Sequence, residues 1–252
     1  MTKRILAFVS CFGMMHAWAQ PAPSYPTKPV RLIVPFPAGA STNDILGRAM
    51  AARLSEALGQ QVIVDNRPGA GGTLGTELGA KATPDGYTLV GGTNGPIAIA
   101  PYIYPKLAYR PLTDLAPVTL YAMVPYAILA HPSVKASNVN ELIALARAQP
   151  GQLRYASAGN GSAPHLCMEL FKTLFKVDLV HVPYKGGAPA AIDVLSGQVQ
   201  LYCPGLTSVL AQVKAGRLKP IVVTMAERTQ FLPEVATARE QGHPALLANS
   251  WV

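Results

Sequence analysis

The stretch RLIVPFPAGASTNDILGRAMAARL, Arg31 to Leu54, decides the fold. Its first residues are β-prone and mostly apolar, which predicts a buried strand. The chain then breaks at two prolines and a glycine, passes through short polar residues, and resumes with apolar residues at helical spacing. The stretch therefore predicts a strand, a turn and a helix, and the turn contains no side chain typical of catalysis.

The same alternation continues beyond this stretch. QQVIVDN and GYTLVGG are typical of strands, and RPGAGGTLGTELGAKA between them is typical of a glycine-rich turn that enters a helix. The alternation restarts with the helical VNELIALARAQP, the strand LRYASAG and the helical SAPHLCMELFKTLF, and it continues to the strand LKPIVVTM. Strands that alternate with helices predict mostly parallel sheets flanked by helices.

The middle of the chain interrupts this pattern. Residues 96–118 are rich in proline and tyrosine without a clear period, which predicts a connecting segment on the surface. LYAMVPYAILAHP follows and predicts either a pair of strands or one long bent strand. The restart after this connector predicts an α/β protein with two lobes, and a cleft between lobes is a common place for a small-molecule site.

The first 19 residues have the pattern of a secretory signal peptide. Lys3 and Arg4 precede a short apolar run, and Ala17-Trp18-Ala19 matches a cleavage site. The apolar run is too short for a membrane span, which needs about 20 residues. We therefore expect a mature protein that is soluble outside the cytoplasm.

The net charge limits the kinds of partner that the protein can bind, and the cysteine content bears on whether it contains a disulfide. Two of the 21 basic residues leave with the leader, so 19 remain against 13 acidic ones and the net charge falls from +8 to +6. The basic residues are scattered without an aromatic–basic array, so we expect no nucleic-acid partner. Cys167 and Cys203 remain in the mature chain, and we interpret them as two buried free thiols, with a disulfide as the alternative.

The turn at Gly39 to Asn43 can bind an anion without a charged side chain. The first N–H groups of a helix have no partner within it, and the helix N-terminus carries partial positive charge. Ser41, Thr42 or Asn43 can cap the helix, and Gly39 lets the backbone approach a ligand closely. The alternative is an ordinary capped turn that binds nothing.

A second turn of the same kind lies in YASAGNGSAPHLCMELF. Ser157, Asn160 and Ser162 supply short polar groups next to Gly159 and Gly161. Two such turns, one in each lobe, would face each other across a cleft and suit a small molecule with a carboxylate at each end. The hypothesis is a receptor that closes on its ligand.

His165 and Tyr184 are further candidates for the cleft. His165 lies just inside the predicted helix after the second turn, and Tyr184 follows a predicted strand, whereas Lys185 is expected to be solvated. A hydrolase that pairs His165 with Ser157 or Ser162 is the alternative from another functional class. A truncated, non-functional remnant is a third interpretation.

Other familiar sites do not match the sequence. The second turn lacks the Gly-Lys-Ser/Thr end of a phosphate-binding loop, and the glycines of NRPGAGGTLG do not have the dinucleotide-binding register. Those glycines predict tight packing of a helix on a strand. The histidines and cysteines show no metal spacing. We expect no metal, no cofactor and no catalytic residue.

Five stretches in this order resemble one known family. They are YPTKPVRLIVPFPAGASTND, VIVDNRPGAGGTLGTELGAKATPDGYTL, KLAYRPLTDLAPVTL, RYASAGNGSAPHLCMELFK and LVHVPYKGGAPAAIDVLSGQV. The chain resembles the periplasmic substrate-binding proteins of tripartite tricarboxylate transporters, the TctC or Bug type. The resemblance implies a type II-like periplasmic-binding-protein fold. It also implies a di-, tri- or aromatic carboxylate as ligand, membrane transporter subunits as partners, and a monomer in the periplasm.

The resemblance also implies a set of ligand-binding residues from the two turns and a further cleft loop, GGTNGP. Together with Tyr184, which the residues themselves suggest, the predicted binding residues are Pro37, Ala38, Gly39, Ser41, Thr42, Asn43, Thr93, Asn94, Ser157, Gly159, Asn160, Gly161, Ser162, His165 and Tyr184. The predicted domains are lobe 1 at residues 20–123 plus 226–252, and lobe 2 at residues 124–225.

Three features depart from the family pattern. Ala40 stands where a second glycine is usual in the first turn. Pro204 stands where many members have an aspartate that could hold an ammonium group, so the sequence argues against amino-acid ligands. The sequence also ends at ANSWV, where the family typically continues and returns to lobe 1, so we expect lobe 1 to be incomplete.

Overall fold

A computed structural model describes residues 25–39 and 41–252. The predicted signal peptide and Ala40 therefore lie outside the described residues. Within the described part, no helix combines the length and the apolar character that a membrane crossing needs.

The first part of the chain builds a three-stranded sheet in the order β2-β1-β3, with both pairings parallel. Its elements are β1 (Val30–Val34), α1 (Thr42–Leu58), β2 (Val62–Asn66), α2 (Thr73–Ala80) and β3 (Thr88–Val90). We call this unit the first sheet. The predicted strands and helices of this region are all present.

Both predicted apolar residues and a glycine carry the contact of α1 with its sheet. Leu54 and Leu58, which lie at helical spacing, pack against the core of the first sheet, whereas Ile45 is 41% exposed and Gly47 is buried. A Cβ at Gly47 would lie 2.7 Å from Val34 Cγ2. The glycine therefore lets the helix approach the strand closely, which apolar periodicity alone does not reveal.

The connector has more regular structure than the sequence predicts. Residues 95–99 form a π-helical turn, followed by α3 (Ala100–Ile103) and α4 (Pro111–Asp114). The expectation of an irregular segment is wrong in this respect, since proline occupies an early position in each of these short helices, where its missing N–H is not needed. Much of the segment lies on the surface as predicted, with Leu112 94% exposed, whereas Ala100 and Tyr109 are buried.

The second part builds a five-stranded mixed sheet in the order β7-β6-β8-β5-β9, which we call the second sheet. Its elements are β5 (Ala127–Ala130), α5 (Val139–Ala148), β6 (Arg154–Ser157), α6 (Ala163–Phe175), β7 (Val180–Pro183), α7 (Gly187–Leu195), β8 (Leu201–Tyr202), α8 (Leu210–Lys214) and β9 (Lys219–Val223). β6 pairs in parallel with β7 and β8, whereas β5 is antiparallel to β8 and β9.

A separate two-stranded ribbon lies between these units. β4 (Met123–Pro125) immediately precedes β5 and pairs antiparallel with β10 (Asn249–Trp251). Of the two alternatives for LYAMVPYAILAHP, a pair of strands or one long bent strand, the structure has two strands, β4 and β5, which do not pair with each other. Residues 232–246 pack on the second sheet through Leu232, Ala238 and Leu246, which differs from their predicted place in lobe 1. The domain boundaries themselves stay a prediction.

Cys167 and Cys203 form a disulfide, so the interpretation as free thiols is wrong. Cys167 lies in the second turn of α6, which follows β6, and Cys203 follows β8, the neighbour of β6 in the second sheet. The two Cα atoms are 6.3 Å apart. The separation of 36 positions hides this proximity in the sequence, because the proximity results from the strand order of the sheet.

Candidate functional site

The turn between β1 and α1 is held by its own hydroxyl groups. Ser41 caps α1: its Oγ accepts a hydrogen bond from the Asp44 N–H at 3.2 Å and donates one to the Pro37 carbonyl at 3.0 Å. The Thr42 hydroxyl donates to the carbonyl of Gly205, beyond β8, at 3.2 Å. Since these hydroxyls have structural partners, anion binding here would rely on the backbone N–H groups of the first helical turn.

A buried carboxylate organises the same turn. Asp44, 2% exposed, accepts hydrogen bonds from the Gly39 N–H at 2.9 Å, from Asn66 Nδ2 at 2.8 Å and from Arg48 Nε at 3.0 Å. Burial raises the pKa of Asp44, but the bonds from Arg48, Asn66 and Gly39 outweigh it and hold the pKa below the ordinary aspartate value. Asn66 also donates to the Phe36 carbonyl at 3.0 Å, so the network fixes both ends of the turn.

The turn between β6 and α6 is held without a charged group. The Ser162 hydroxyl donates to the Gly159 carbonyl at 2.6 Å, and the Gly159 N–H donates to Ser157 Oγ at 3.2 Å. The Gly161 N–H donates to His165 Nδ1 at 3.2 Å. Ser162 precedes α6 with extended backbone, and its side chain makes no capping hydrogen bond to the helix. The N-terminus of α6 therefore has no acidic or hydroxyl cap of its own.

Two imidazoles support this second turn. The rings of His165 and His181 stack with centroids 4.2 Å apart. The ring of Tyr155 also stacks on His181, at a centroid distance of 4.9 Å. His181 Nε2 lies 2.6 Å from Ser157 Oγ. Burial and the neighbouring His165 lower the pKa of His181 to about 4, and burial also lowers the pKa of His165. Both rings are therefore neutral at neutral pH.

A carboxylate and an ammonium group lie next to the imidazole stack. The Tyr155 hydroxyl donates to Glu169, and Lys172 Nζ is 2.8 Å from Glu169 Oε1. Burial raises the pKa of Glu169, but its bonds with Lys172 and Tyr155 bring the pKa below the ordinary glutamate value. The charges next to the histidines thus form their own pair.

The structure does not assemble the serine–histidine pair of the hydrolase alternative. Ser157 is fully buried and contacts His181, not His165, while the Ser162 hydroxyl is engaged by Gly159. Among residues 25–39 and 41–252, no three histidine, cysteine or acidic side chains are grouped to hold a metal.

A first cavity of about 40 Å³ joins the two turns. Its walls include the start of α1 and the start of α6, together with residues from β8 and β10. The lining residues are Phe36, Ser41, Thr42, Asn43, Thr93, Asn94, Tyr126, Ala158, Ser162, Ala163, Pro164, Gly187, Tyr202, Gly205, Ser208 and Ser250. Two helix N-termini from different sheets thus meet at one small polar space, and their partial positive charges add there.

A second cavity of about 290 Å³ adjoins the first, because both are lined by Phe36 and Ala158. Glycine-rich backbone from both halves of the molecule forms much of its wall. The lining residues are Phe36, Pro37, Gly69, Ala70, Gly71, Gly72, Tyr104, Ala158, Gly159, Asn160, Tyr184, Lys185 and Gly186. Of the glycines in NRPGAGGTLG, Gly75 packs tightly against the backbone just after β1 and β2, at Pro35 and Arg67, whereas Gly69, Gly71 and Gly72 line this cavity.

The predicted binding residues fall into three groups. Ser41, Thr42, Asn43, Thr93, Asn94 and Ser162 line the first cavity. Pro37, Gly159, Asn160 and Tyr184 line the second. Ala38, Gly39, Ser157, Gly161 and His165 line neither, and the last three support the second turn from behind.

The side chain of Asn94 has structural partners. Its Oδ1 accepts hydrogen bonds from the Gly95 N–H at 3.0 Å and from the Ser250 hydroxyl at 2.8 Å, and its Nδ2 donates to the Asn249 carbonyl at 3.3 Å. Asn94 thus ties the loop after β3 to β10. This places Ser250 in the wall of the first cavity, which the sequence analysis missed.

The other residues that the sequence analysis missed come from distant parts of the chain. Tyr202 belongs to β8, Tyr126 lies between β4 and β5, and the Gly205 carbonyl accepts the hydrogen bond from Thr42. Asp44 and Asn66 lie behind the first turn. Asp44 follows the polar run that the sequence analysis selected, so its position at the start of a helix was an available signal, whereas the tyrosines gave none.

Comparisons with known proteins agree with this geometry. Residues 46–252 match the family described as tripartite tricarboxylate transporter family receptor. Protein BugT of Bordetella pertussis is 37% identical over 251 residues, covering 98% of this chain and 77% of that protein.

Two solved structures with named ligands are similar throughout. "R. palustris Rpa4515 with adipate" is 39% identical, has a TM-score of 0.87, and covers 90% of this chain and 76% of that one. "MatC (Rpa3494) from Rhodopseudomonas palustris with bound malate" is 34% identical, has a TM-score of 0.85, and covers 90% and 77%. The fold is that of a periplasmic binding protein, and the chain belongs to the TctC/Bug family of periplasmic solute-binding receptors.

Proposed function

We propose that the chain captures a small organic carboxylate in the cleft between its two sheets and delivers it to a tripartite membrane transporter. One observation carries the proposal: the N-termini of α1 and α6 line the same cavity, although they follow strands of different sheets. A carboxylate at that position would receive hydrogen bonds from both halves of the molecule. The fifteen predicted residues are proposed as the binding region, with their roles as grouped above.

Contacts across the cleft support closure as the mechanism. The Thr42 hydroxyl reaches the Gly205 carbonyl, and the Tyr104 hydroxyl donates to the Asn160 carbonyl at 3.3 Å. A Cβ at Gly71 would lie 2.4 Å from the oxygen of Asn160, so the two halves touch through glycine backbone. The first cavity, at about 40 Å³, has room for no more than a few waters. The ligand would therefore enter while the cleft is open, and the cleft would close around it. This closure would be a hinge motion at the β4–β10 ribbon.

The nature of the lining favours binding over chemistry. Hydroxyl groups, amides and backbone dominate the first cavity, and the titrating groups nearest to the second turn are packed behind it. The two similar structures contain adipate and malate, both of which are dicarboxylates. We propose a monomeric receptor for a di- or tricarboxylate or an aromatic carboxylate, with lobes centred on the first and second sheets.

Thermal unfolding with a carboxylate panel tests this proposal. A ligand that binds only the folded protein stabilises it by about 2.7 kcal/mol at 100 times its Kd. We expect at least one di-, tri- or aromatic carboxylate to raise Tm by about 5–10 °C, since about 1 kcal/mol shifts Tm by 2–4 °C at this chain length. The methyl ester of the same compound serves as the matched control and should have no effect. No shift with any carboxylate, or an equal shift with the ester, would contradict the proposal.

A further inference from the structure

The second cavity adjoins the first but differs from it in size and charge. The volumes are about 290 and 40 Å³, and Phe36 and Ala158 line both. Because Phe36 follows β1 and Ala158 follows β6, the shared wall is made of one residue from each sheet. A ligand held at the paired helix N-termini can therefore extend past these two residues into the larger space.

Lys185 sets the charge of the second cavity. Among the described residues that line the two cavities, it is the one with a charged side chain. Within the described part of the chain, no hydrogen bond or ion pair engages its ammonium group, whereas Lys172 and Lys81 have glutamate partners. Lys185 is exposed, as expected from the sequence, so the lining of the second cavity contains a solvated cation without a counter-ion among the described residues.

The polar groups around Lys185 leave this charge uncompensated. The Tyr184 hydroxyl donates to Asp193 Oδ2 at 2.6 Å, so the carboxylate on the neighbouring helix α7 already has a partner. The Tyr104 hydroxyl donates to the Asn160 carbonyl. The remaining wall consists of apolar residues such as Phe36 and Pro37 and of glycine backbone, which allows a ligand close approach, and none of these adds negative charge.

We infer that the second cavity is a distal subsite, which takes the far carboxylate of an elongated dicarboxylate and pairs it with the ammonium group of Lys185. This inference rests on the proposed function and names the ligand class within it. The helix N-termini would bind the first carboxylate through backbone N–H groups, and the lysine would distinguish a dicarboxylate from a monocarboxylate of equal length.

Isothermal titration of the full chain with adipate and with hexanoate tests the inference. These two acids have the same carbon number and differ in the second carboxylate. We expect wild type to bind adipate more tightly than hexanoate, and Lys185→Met to weaken adipate about fivefold to tenfold while hexanoate keeps its affinity. Lys185→Arg should retain most of the adipate affinity because it keeps the charge.

Lys214→Met is the matched control. Lys214 is exposed at the end of α8 and lines neither cavity. Its replacement removes the same charge and should leave the affinities for adipate and hexanoate unchanged. Equal losses for adipate and hexanoate in Lys185→Met, or no loss for either, would overturn the subsite while leaving carboxylate capture intact. If wild type binds neither acid nor any other carboxylate of the panel, the subsite and the proposed function are both wrong.

Discussion

The turn after β1 and the turn after β6 are made of the same kinds of residue but are stabilised in different ways. The first is built around buried, ionised Asp44 and its partners Asn66 and Arg48. The second is built around neutral groups, with Ser157 and Gly161 bonded to imidazoles. Two anion-binding turns can therefore share a sequence pattern and still respond differently to charge, pH and redox conditions.

The covalent anchor of the second turn gives the largest expected effect. Cys167 ties α6 to Cys203, two residues before Gly205 in the wall of the first cavity, and α1 contains no cysteine. A cross-link between residues 36 positions apart lowers the entropy of the unfolded chain and so raises the free energy of unfolding by about 3–4 kcal/mol. We expect a Cys167→Ala/Cys203→Ala double variant to lose about that much stability in urea unfolding.

The control for this variant is wild type unfolded with excess dithiothreitol. The reductant should lower the urea midpoint of wild type to that of the double variant and leave the variant unchanged. A midpoint equal in wild type and variant without reductant would show that the cross-link contributes no stability.

The charge network of the first turn gives the next largest effect. Asp44→Asn keeps the size of the side chain but leaves Arg48 without its carboxylate and changes an acceptor of the Gly39 N–H. Removing one partner of a buried pair costs 3–5 kcal/mol, and Arg48 is about half exposed, so we expect a loss of about 2–3 kcal/mol by calorimetry.

Asp85→Asn is the matched control for this substitution. Asp85 pairs with Lys28 at 3.5 Å on the surface, where solvent screens the pair, so its loss should cost clearly less stability than the loss of Asp44. Equal costs for the two variants would mean that Asp44 contributes no more than a surface charge.

The pH dependence of the second turn gives the smallest effect. The folded pKa of His181 is about 4 and the pKa of a free histidine is about 6.5. The unfolded chain therefore binds more protons between these values, so stability falls as pH falls from 6.5 towards 4. The groups facing His181 are His165, Tyr155, Ser157 and, beyond the stack, the Glu169–Lys172 pair.

Because the ring is partly exposed, we expect this loss to be on the order of 2 kcal/mol, less than the full linkage value. Replacing His181 with glutamine should flatten the dependence of Tm on pH in this window. His131→Gln, outside the stack, should keep the wild-type slope. An unchanged slope in His181→Gln would assign the pH dependence to other groups.

The sequence predicts local structure well at these turns because local structure depends on neighbouring residues. The strands and helices on each side of the turns are predicted by apolar periodicity over a few residues. Ser41 caps α1, as its position before the helix implies. The buried face of α1 is the exception, because a contact of Gly47 with Val34 depends on the close approach of two elements.

The parts that the sequence did not predict depend on distant residues. Asp44 and Asn66 are 22 positions apart, and the two cysteines are 36 apart. His181 reaches Ser157 because β7 lies next to β6 in the sheet. Such partners follow from strand order, which alternation of strands and helices does not specify.

The glycines where the two halves meet have a consequence for affinity. Gly95 faces Gly161 across the cleft, and an added Cβ at Gly95 would lie 3.1 Å from the Gly161 oxygen, although neither residue lines the first or the second cavity. A methyl group at Gly95 would act as a spacer that keeps the two halves of the protein slightly apart. Evolution or design can thus retune how tightly such a receptor retains its cargo at a position that the cargo never touches.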